Sequence, residues 1–569
     1  MTGKRPAPRL SLSMAGEMLR AEIYALGKPF REILRGNILY RWIVCNGPIP
    51  EHLLFHPYDA APRKLEDAEL LLRGRFKFEG GQVDVRDGSI FEHTPPSPEW
   101  AAALRSFAWL PPLAFAGGDA AHLLAKNLIA QWLRRNPHYS EPDWLPHITA
   151  RRLLNIFAHG RTAFENDAAL RKKLFASIRE QARILARTAN ETPDGILRFE
   201  AVSVAALSAL CLPDKPKQID QTIARLEAEI ARQIFADGGH ITRSPEALLH
   251  CYRHLTLVMD ALTAARRNIP QTLRSAHDRM APMIRFFRHG DGGLALFQGS
   301  GEGDPRTISA LLARDEVRGQ PHAHAPHSGY QRIVSGHTFV AMDCGGTPPD
   351  AFSTEAHAST LSFEFSSAAQ RIVVNCGASA QQNQLQDVLR ATAAHSTITL
   401  ADLSTAFLIQ PGIARRLLGA RLLGGPDKID TNRMQTPQGW SITASHDAYA
   451  EQYGFVIERM LSLSPQGLVL TGRDRLVPVS KTKRGSLPFA VRFHIHPDVR
   501  VSPSQGGGIL LKLANGEGWR FRASGQIAIE ESIYLGTGQA RKTEQLVVAG
   551  AVRDAEVQVD WLFEQIGAT

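Results

Sequence analysis

The feature that most constrains this chain is a change of hydrophobic period about halfway along it. Up to about residue 288, apolar residues recur at helical spacing. "DAAHLLAKNLIAQWLRRN" (119–136) sets Leu123, Leu124, Leu128, Trp132 and Leu133 on one stripe. Comparable patterns run through 145–159, 167–188, 199–211, 217–235, 245–265 and 270–288, separated by glycine, proline, Asn and Asp. Beyond "RHGDGGLALFQGSGEGDP" (288–305) the period falls to 2. "LSFEFS" alternates Phe363 and Phe365 against Glu364, and "VRFHIHP" sets Val491, Phe493 and Ile495 against Arg492, His494 and His496. A helix pattern and a strand pattern cannot share one layer. The chain is therefore expected to be multidomain, α then β, with a bundle or toroid of helical hairpins followed by an antiparallel β-sandwich. The boundaries read as a mixed segment at 1–95 carrying a hairpin at "GRFKFEGGQVDVRDG", a helical domain at 96–290, a linker at 291–324 and a β-domain at 325–569.

Composition narrows the partners. Lys and Arg total 65 against 56 Asp and Glu, a net charge of +9, which favours an anionic partner. The charge is dispersed and no nucleic-acid-binding motif accompanies it, so a nucleic acid is not expected. Five cysteines (Cys45, Cys211, Cys251, Cys344, Cys376) lack CxxC spacing and read as free, mostly buried thiols. No apolar run is long enough to cross a membrane. The opening "MTGKRPAPRLSLSMAGEML" has no uninterrupted apolar core, so a cleavable signal peptide is not expected and the cytoplasm is the compartment it suggests.

One loop concentrates groups that bind or titrate. "DGGHITRSP" (237–245) separates two helical stretches and brings Gly238, Gly239, His240 and Arg243 before a Ser-Pro helix start. It is either a connector or a ligand-facing loop. On the following helix, His250 and His254 stand four residues apart on one face, and Tyr252 points elsewhere. His-x-x-x-His suits a metal, although the Glu of a metalloprotease motif is absent because Cys251 follows His250.

Several strings, in this order, resemble the heparinase II/III-like proteins: "PSPEWAAALRSFAWL" (96–110), "DGGHITRSP", "AHASTLSFEFSSAAQRIVVNCG" (356–377), "RATAAHSTITL" (390–400) and "HDAYAEQYGFVIERMLSLS" (446–464). The resemblance implies an incomplete (α/α) toroid, a stacked antiparallel β-domain and a substrate cleft between them. It also implies β-elimination on an acidic, uronate-containing polysaccharide, in the periplasm or at the cell envelope. That reaction needs a cation to neutralise the uronate carboxylate and a base to take the neighbouring proton. The chain departs from the family at three positions. Asp194-Gly195 stands where an Asn-His pair is expected, Ala247 where a Tyr is expected, and Glu355 where a His is expected. Either the activity is lost, leaving a protein that binds an anionic glycan or envelope polymer, or other residues carry it. His240, Arg243, Tyr252 and Glu355 are then the catalytic candidates, and Arg198, His250, Arg492 and His494 the substrate-binding ones. No cofactor is required. The resemblance further implies a site for a structural zinc ion in the β-domain, at His357, Asn375 and His395. The alternative for these three is a buried hydrogen-bonded cluster that fixes strand register.

Overall fold

The computed structural model describes residues 12–37, 39–40, 44, 49–60, 63–161, 167–315, 317–378, 385–479, 485–505 and 507–567. Cys45 and the first eleven residues, on which the compartment reading partly rests, lie outside them. The chain forms two compact units. One holds residues 20–234 and 250–278; the other holds 235–249 and 279–569 with the N-terminal stretch up to Leu19.

The first unit is helical apart from a two-stranded hairpin, Arg75–Phe78 with Gly81–Asp84. Its main helices are Pro98–Arg105, Gly118–Arg135, Pro146–His159, Ala168–Thr188, Ile196–Cys211 and Pro216–Gln233. Side-chain caps set two of the starts: Ser97 Oγ accepts from the Trp100 amide at 3.1 Å and Asp167 Oδ1 from the Leu170 amide at 2.9 Å. The buried face of Gly118–Arg135 is Ala121, Ala125, Leu128, Ile129 and Trp132. This corrects the expected stripe, because Leu123 faces solvent. Leu124 and Leu133 are half-buried at the edge of that face. Ile196–Cys211 is buried on all sides from Phe199 onward, as a central helix must be. Arg152 ties the core together from within, donating to Gln181 Oε1 (2.7 Å) and to the carbonyls of Arg105 (2.9 Å) and Asp143 (2.8 Å) while lying over the Trp132 ring.

In the second unit two antiparallel sheets share one apolar core. The nine-stranded sheet runs Ile527–Tyr534, Arg541–Val552, Leu487–Ile495, Gln370–Val374, Phe363–Ser367, Thr338–Asp343, Tyr330–Ser335 and His324–Ala325, with Ile398–Leu400 also paired to Leu487–Ile495. The eight-stranded sheet runs Ile429–Thr436, Gly439–His446, Phe455–Leu463, Val469–Pro478, Val557–Ile566, Gly518–Ala523, Ile509–Lys512 and Arg500–Pro503. Alternation places Phe363, Phe365, Val491 and Phe493 from one sheet against Trp561, Phe563 and Ile457 from the other, with Phe363 stacked on Trp561 at 5.4 Å. Arg459 also points inward and is fully buried. It is matched by a two-pronged ion pair to Asp474 (2.6 and 3.0 Å), which also accepts from the Trp561 indole.

Two domain boundaries are corrected. The expected linker at 291–324 is a packed part of the β unit: Leu294, Ala295, Leu296 and Phe297 are buried, and Asp304 caps a helix over Pro305–Leu312. The stretch 235–249, expected in the helical domain, belongs to the β unit as well. Among the described residues, no helix is long and apolar enough to cross a membrane.

Candidate functional site

The "DGGHITRSP" loop is stapled to the β unit along its length. Asp237 accepts from the amides of Gly239 (3.0 Å), His327 (2.9 Å) and Ser328 (2.7 Å). Gly238 has φ +87°, and a Cβ there would lie 2.1 Å from the Arg279 carbonyl oxygen; one on Gly239 would lie 1.9 Å from Ser328 Oγ. Both glycines are therefore needed for close packing of the loop against its own unit.

Arg243 is committed to the interior. Its guanidinium pairs with Asp343, donates to the carbonyls of Ser328 (2.8 Å), Gly346 (2.6 Å) and Gly329 (3.3 Å), and lies over the Tyr330 ring. Burial works against its charge, but Asp343 outweighs burial and raises its pKa. With four of its five N–H groups committed within the unit and the side chain 6% exposed, the fork is turned away from any substrate carboxylate, which corrects the catalytic assignment of Arg243. His240 is 1% exposed, and its Nδ1 accepts from the Thr242 amide and meets the Thr242 hydroxyl at 2.7 Å.

The remaining assigned residues are dispersed. Tyr252 is wholly buried with its ring stacked on His277 at 4.4 Å, and Glu355 is exposed on the β unit. Arg198 pairs with Asp194 (3.0 Å) and Glu229 (3.5 Å), and Arg492 with Glu530 (3.4 Å). His494 is buried between the Ser532 hydroxyl (2.7 Å) and the Ala393 carbonyl (3.0 Å), so its Nε2 carries the proton.

Of the triplet expected to hold zinc, two members meet. His357 Nδ1 and His395 Nε2 are 3.0 Å apart. His395 donates its Nδ1 proton to the Ala391 carbonyl, so its Nε2 is the acceptor and His357 the donor. The Asn375 carboxamide is held at both ends, donating to Glu364 (3.0 Å) and accepting from the Ser396 amide (3.1 Å). As placed, these residues form a hydrogen-bonded cluster, with the Asn375 carboxamide engaged by Glu364 and Ser396. Glu364, which the sequence reading did not single out, is its charged centre: it also accepts from His289 (2.9 Å) and the Leu296 amide (3.0 Å).

A different grouping emerges in the helical unit. His250 and His254, on the Pro245–Ala264 helix, place their Nε2 atoms 3.0 Å apart. Glu200 comes from the Ile196–Cys211 helix, with Oε1 3.9 Å from His254 Nε2 and Oε2 3.9 Å from His250 Nε2. Arg151 donates to Glu200 Oε2 at 2.9 Å. Burial works against the Glu200 charge, but Arg151 and the two histidines outweigh it and hold the carboxyl at about 2. Burial pushes His250 down to about 4 and lowers His254 as well, which disfavours the charged form of both rings. Behind them Arg253 makes a two-pronged pair with Asp59 (2.7 and 2.6 Å). Side-chain exposure is 28% at His250 and 3% and 1% at Glu200 and His254, so the grouping opens at His250. The sequence signal for Glu200 was a lone carboxylate inside "RFEAVSVAALSALC", an otherwise apolar helix.

Residues 317–562 match the family model described as heparinase II/III-like, C-terminal. Over 570 aligned residues the chain is 32% identical to FtsZ-localized protein C of Caulobacter vibrioides (strain NA1000 / CB15N), covering 94% of this chain and 98% of the relative. The chain belongs to the heparinase II/III-like family. The fold agrees: a crystal structure of heparinase III superposes with a TM-score of 0.67 at 13% identity, covering 99% of this chain and 93% of that one. A heparan sulfate lyase mutant from Pedobacter heparinus gives 0.57 at 16% identity, covering 97% and 88%. At the position where the family resemblance calls for an Asn-His pair, the Asp194 carboxylate is held by Arg198 (3.0 Å) and Arg232 (2.6 Å). Ala247, where the resemblance calls for a Tyr, is wholly buried.

Proposed function

We propose that this protein is a non-cleaving member of the heparinase II/III-like family that binds an anionic glycan or cell-envelope polymer and works at sites where FtsZ assembles. The observation that carries the first half is Arg243. The cation best suited to neutralising a uronate is consumed by Asp343 and three carbonyls. Without that neutralisation the proton beside the carboxylate is too weakly acidic for a side-chain base to remove. Arg198 and Arg492 are likewise paired with carboxylates of this chain. The setting is taken from the full-length relative, whose name places it with FtsZ. The net charge of +9 supports an anionic ligand.

Two measurements test this reading. Incubation with a panel of uronate-containing polysaccharides is expected to give no rise in the ultraviolet absorbance of unsaturated product, while at least one polymer is retained on the immobilised protein. A sustained rise would reinstate the lyase. A fluorescent fusion is expected to follow FtsZ in cells and to disperse when FtsZ is depleted; a pattern indifferent to depletion would remove the second half.

A further inference from the structure

We infer that Glu200, His250 and His254 form a binding site for a divalent first-row transition-metal ion, with zinc as its reference occupant. The argument begins with distances. Metal–nitrogen bonds of about 2.0–2.1 Å at a tetrahedral ion set two imidazole donors roughly 3.3 Å apart, and the two Nε2 atoms are 3.0 Å apart, so a few tenths of an ångström separate the pair from chelating distance. A hydrogen bond between the rings would have the same length, so the pair alone does not decide. The carboxylate does. Oε1 and Oε2 of Glu200 each lie 3.9 Å from one ring nitrogen, close enough for a small rotation of the side chain to bring an oxygen onto the same ion. These three are the group of ligand-bearing side chains among the described residues whose donor atoms all fall within 4.8 Å of one another.

The donor chemistry fits. Two imidazoles and one carboxylate make a borderline set that suits zinc and its neighbours better than calcium or magnesium, which take oxygen ligands. In the hydrogen-bonded pair one Nε2 carries the shared proton, and a shift of that one proton to Nδ1 turns the pair into a chelating one. Arg151 engages Oε2 from the outside and leaves Oε1, on the His254 side, available to the ion. The surrounding charge includes both signs. Arg151 and Arg253 oppose a cation, and Asp59 supports it and holds Arg253 in its own pair. The Arg151 side chain is 42% exposed, so its charge is partly screened by water. Three protein ligands with His250 at the surface leave coordination positions facing solvent, the pattern of an ion that takes a further ligand rather than a sealed structural site.

The test titrates the metal-stripped, tag-free full chain with Co²⁺ and follows its visible absorption. One equivalent is expected to saturate the bands, with Zn²⁺ displacing it. His250→Ala and Glu200→Gln should each weaken binding by at least about 100-fold, above the range seen when an outer-shell partner is lost, with circular dichroism unchanged. In the unmodified protein, Zn²⁺ should protect His250 from diethyl pyrocarbonate, read by peptide mass spectrometry, so the conclusion does not depend on a variant folding. Absence of cobalt uptake, uptake undiminished in His250→Ala, or modification of His250 undiminished by zinc would each overturn the site. His357→Gln separates the β-unit pair: it should leave uptake intact, and loss of uptake there would move the ion away from Glu200.

Discussion

Replacing Arg243 with methionine tests whether the "DGGHITRSP" loop is a structural clamp or a ligand-facing element. In the parent, Asp343 is fully buried and accepts from Arg243, the Gly345 amide (3.1 Å), Gln298 Nε2 (3.1 Å) and the Ser359 hydroxyl (2.7 Å). Arg243→Met leaves that carboxylate with three neutral donors and no counter-charge. It also removes a donor from the carbonyls of Ser328, Gly329 and Gly346. Removing one partner of a buried ion pair costs about 3–5 kcal/mol. Orphaned buried acceptors add to this, while the methionine stem keeps part of the packing on Tyr330. A loss of about 4 kcal/mol is expected, and at roughly 2 °C per kcal/mol or a little less for a unit larger than 250 residues the melting temperature should fall by on the order of 5–8 °C. Scanning calorimetry measures it. Arg243→Met/Asp343→Leu, which removes both charges, should recover part of the loss. A single variant that melts with the parent yet no longer retains an anionic polymer would refute the clamp and return Arg243 to the binding surface.

Gly238→Ala should destabilise the β unit by about 1–3 kcal/mol or more, because the new Cβ meets the Arg279 carbonyl at 2.1 Å in a left-handed backbone; a denaturation midpoint equal to that of the parent would contradict the packing. Acid should weaken the same unit through its buried histidines. Burial pushes His395 down to about 4 and His494 to about 3, so the unfolded chain, with an ordinary histidine pKa near 6.5, takes up protons first. Their contribution is complete above pH about 6.5 and is lost progressively as pH falls from there toward about 3–4. Guanidinium midpoints measured across that window should decline, and a flat profile would show that these rings are accessible in the folded state.

The division of the chain was legible because period is a local property: helical spacing before residue 288 and alternation after it survive any tertiary arrangement. The alternation in "VRFHIHP" correctly sent Val491 and Phe493 into the core. What period could not reveal was where segments without one would pack. "LALF" is an apolar run between glycine-rich stretches, equally consistent with a linker, and only its burial beside Glu364 and Arg371 makes it part of the β unit. Nor does residue type disclose whether a cation faces solvent or a buried carboxylate. Arg243 carries the same fork in either role, and its partner Asp343 lies 100 residues away.

The histidine pair shows the same limit in a form that bears on function. Four-residue spacing puts His250 and His254 on one helix face, which is as far as a single helix can go. Two imidazoles on one face are either a packed pair or half a ligand set, and the carboxylate at the matching offset, Glu246, four residues before His250, is turned to the Gly301 amide instead (2.9 Å). The deciding group is Glu200, fifty residues earlier and on another helix, delivered to 3.9 Å from both rings. Its position in an otherwise apolar helix required a compensating partner, because an ionised carboxylate is strongly disfavoured in such surroundings. Arg151, one turn along from His147 on the Pro146–His159 helix, is that partner at 2.9 Å. A carboxylate kept charged by one cation and left open on its other oxygen does more than fill a core. Its position at 3% exposure, beside two imidazoles, is what makes this part of the helical unit the place to look for a bound ion.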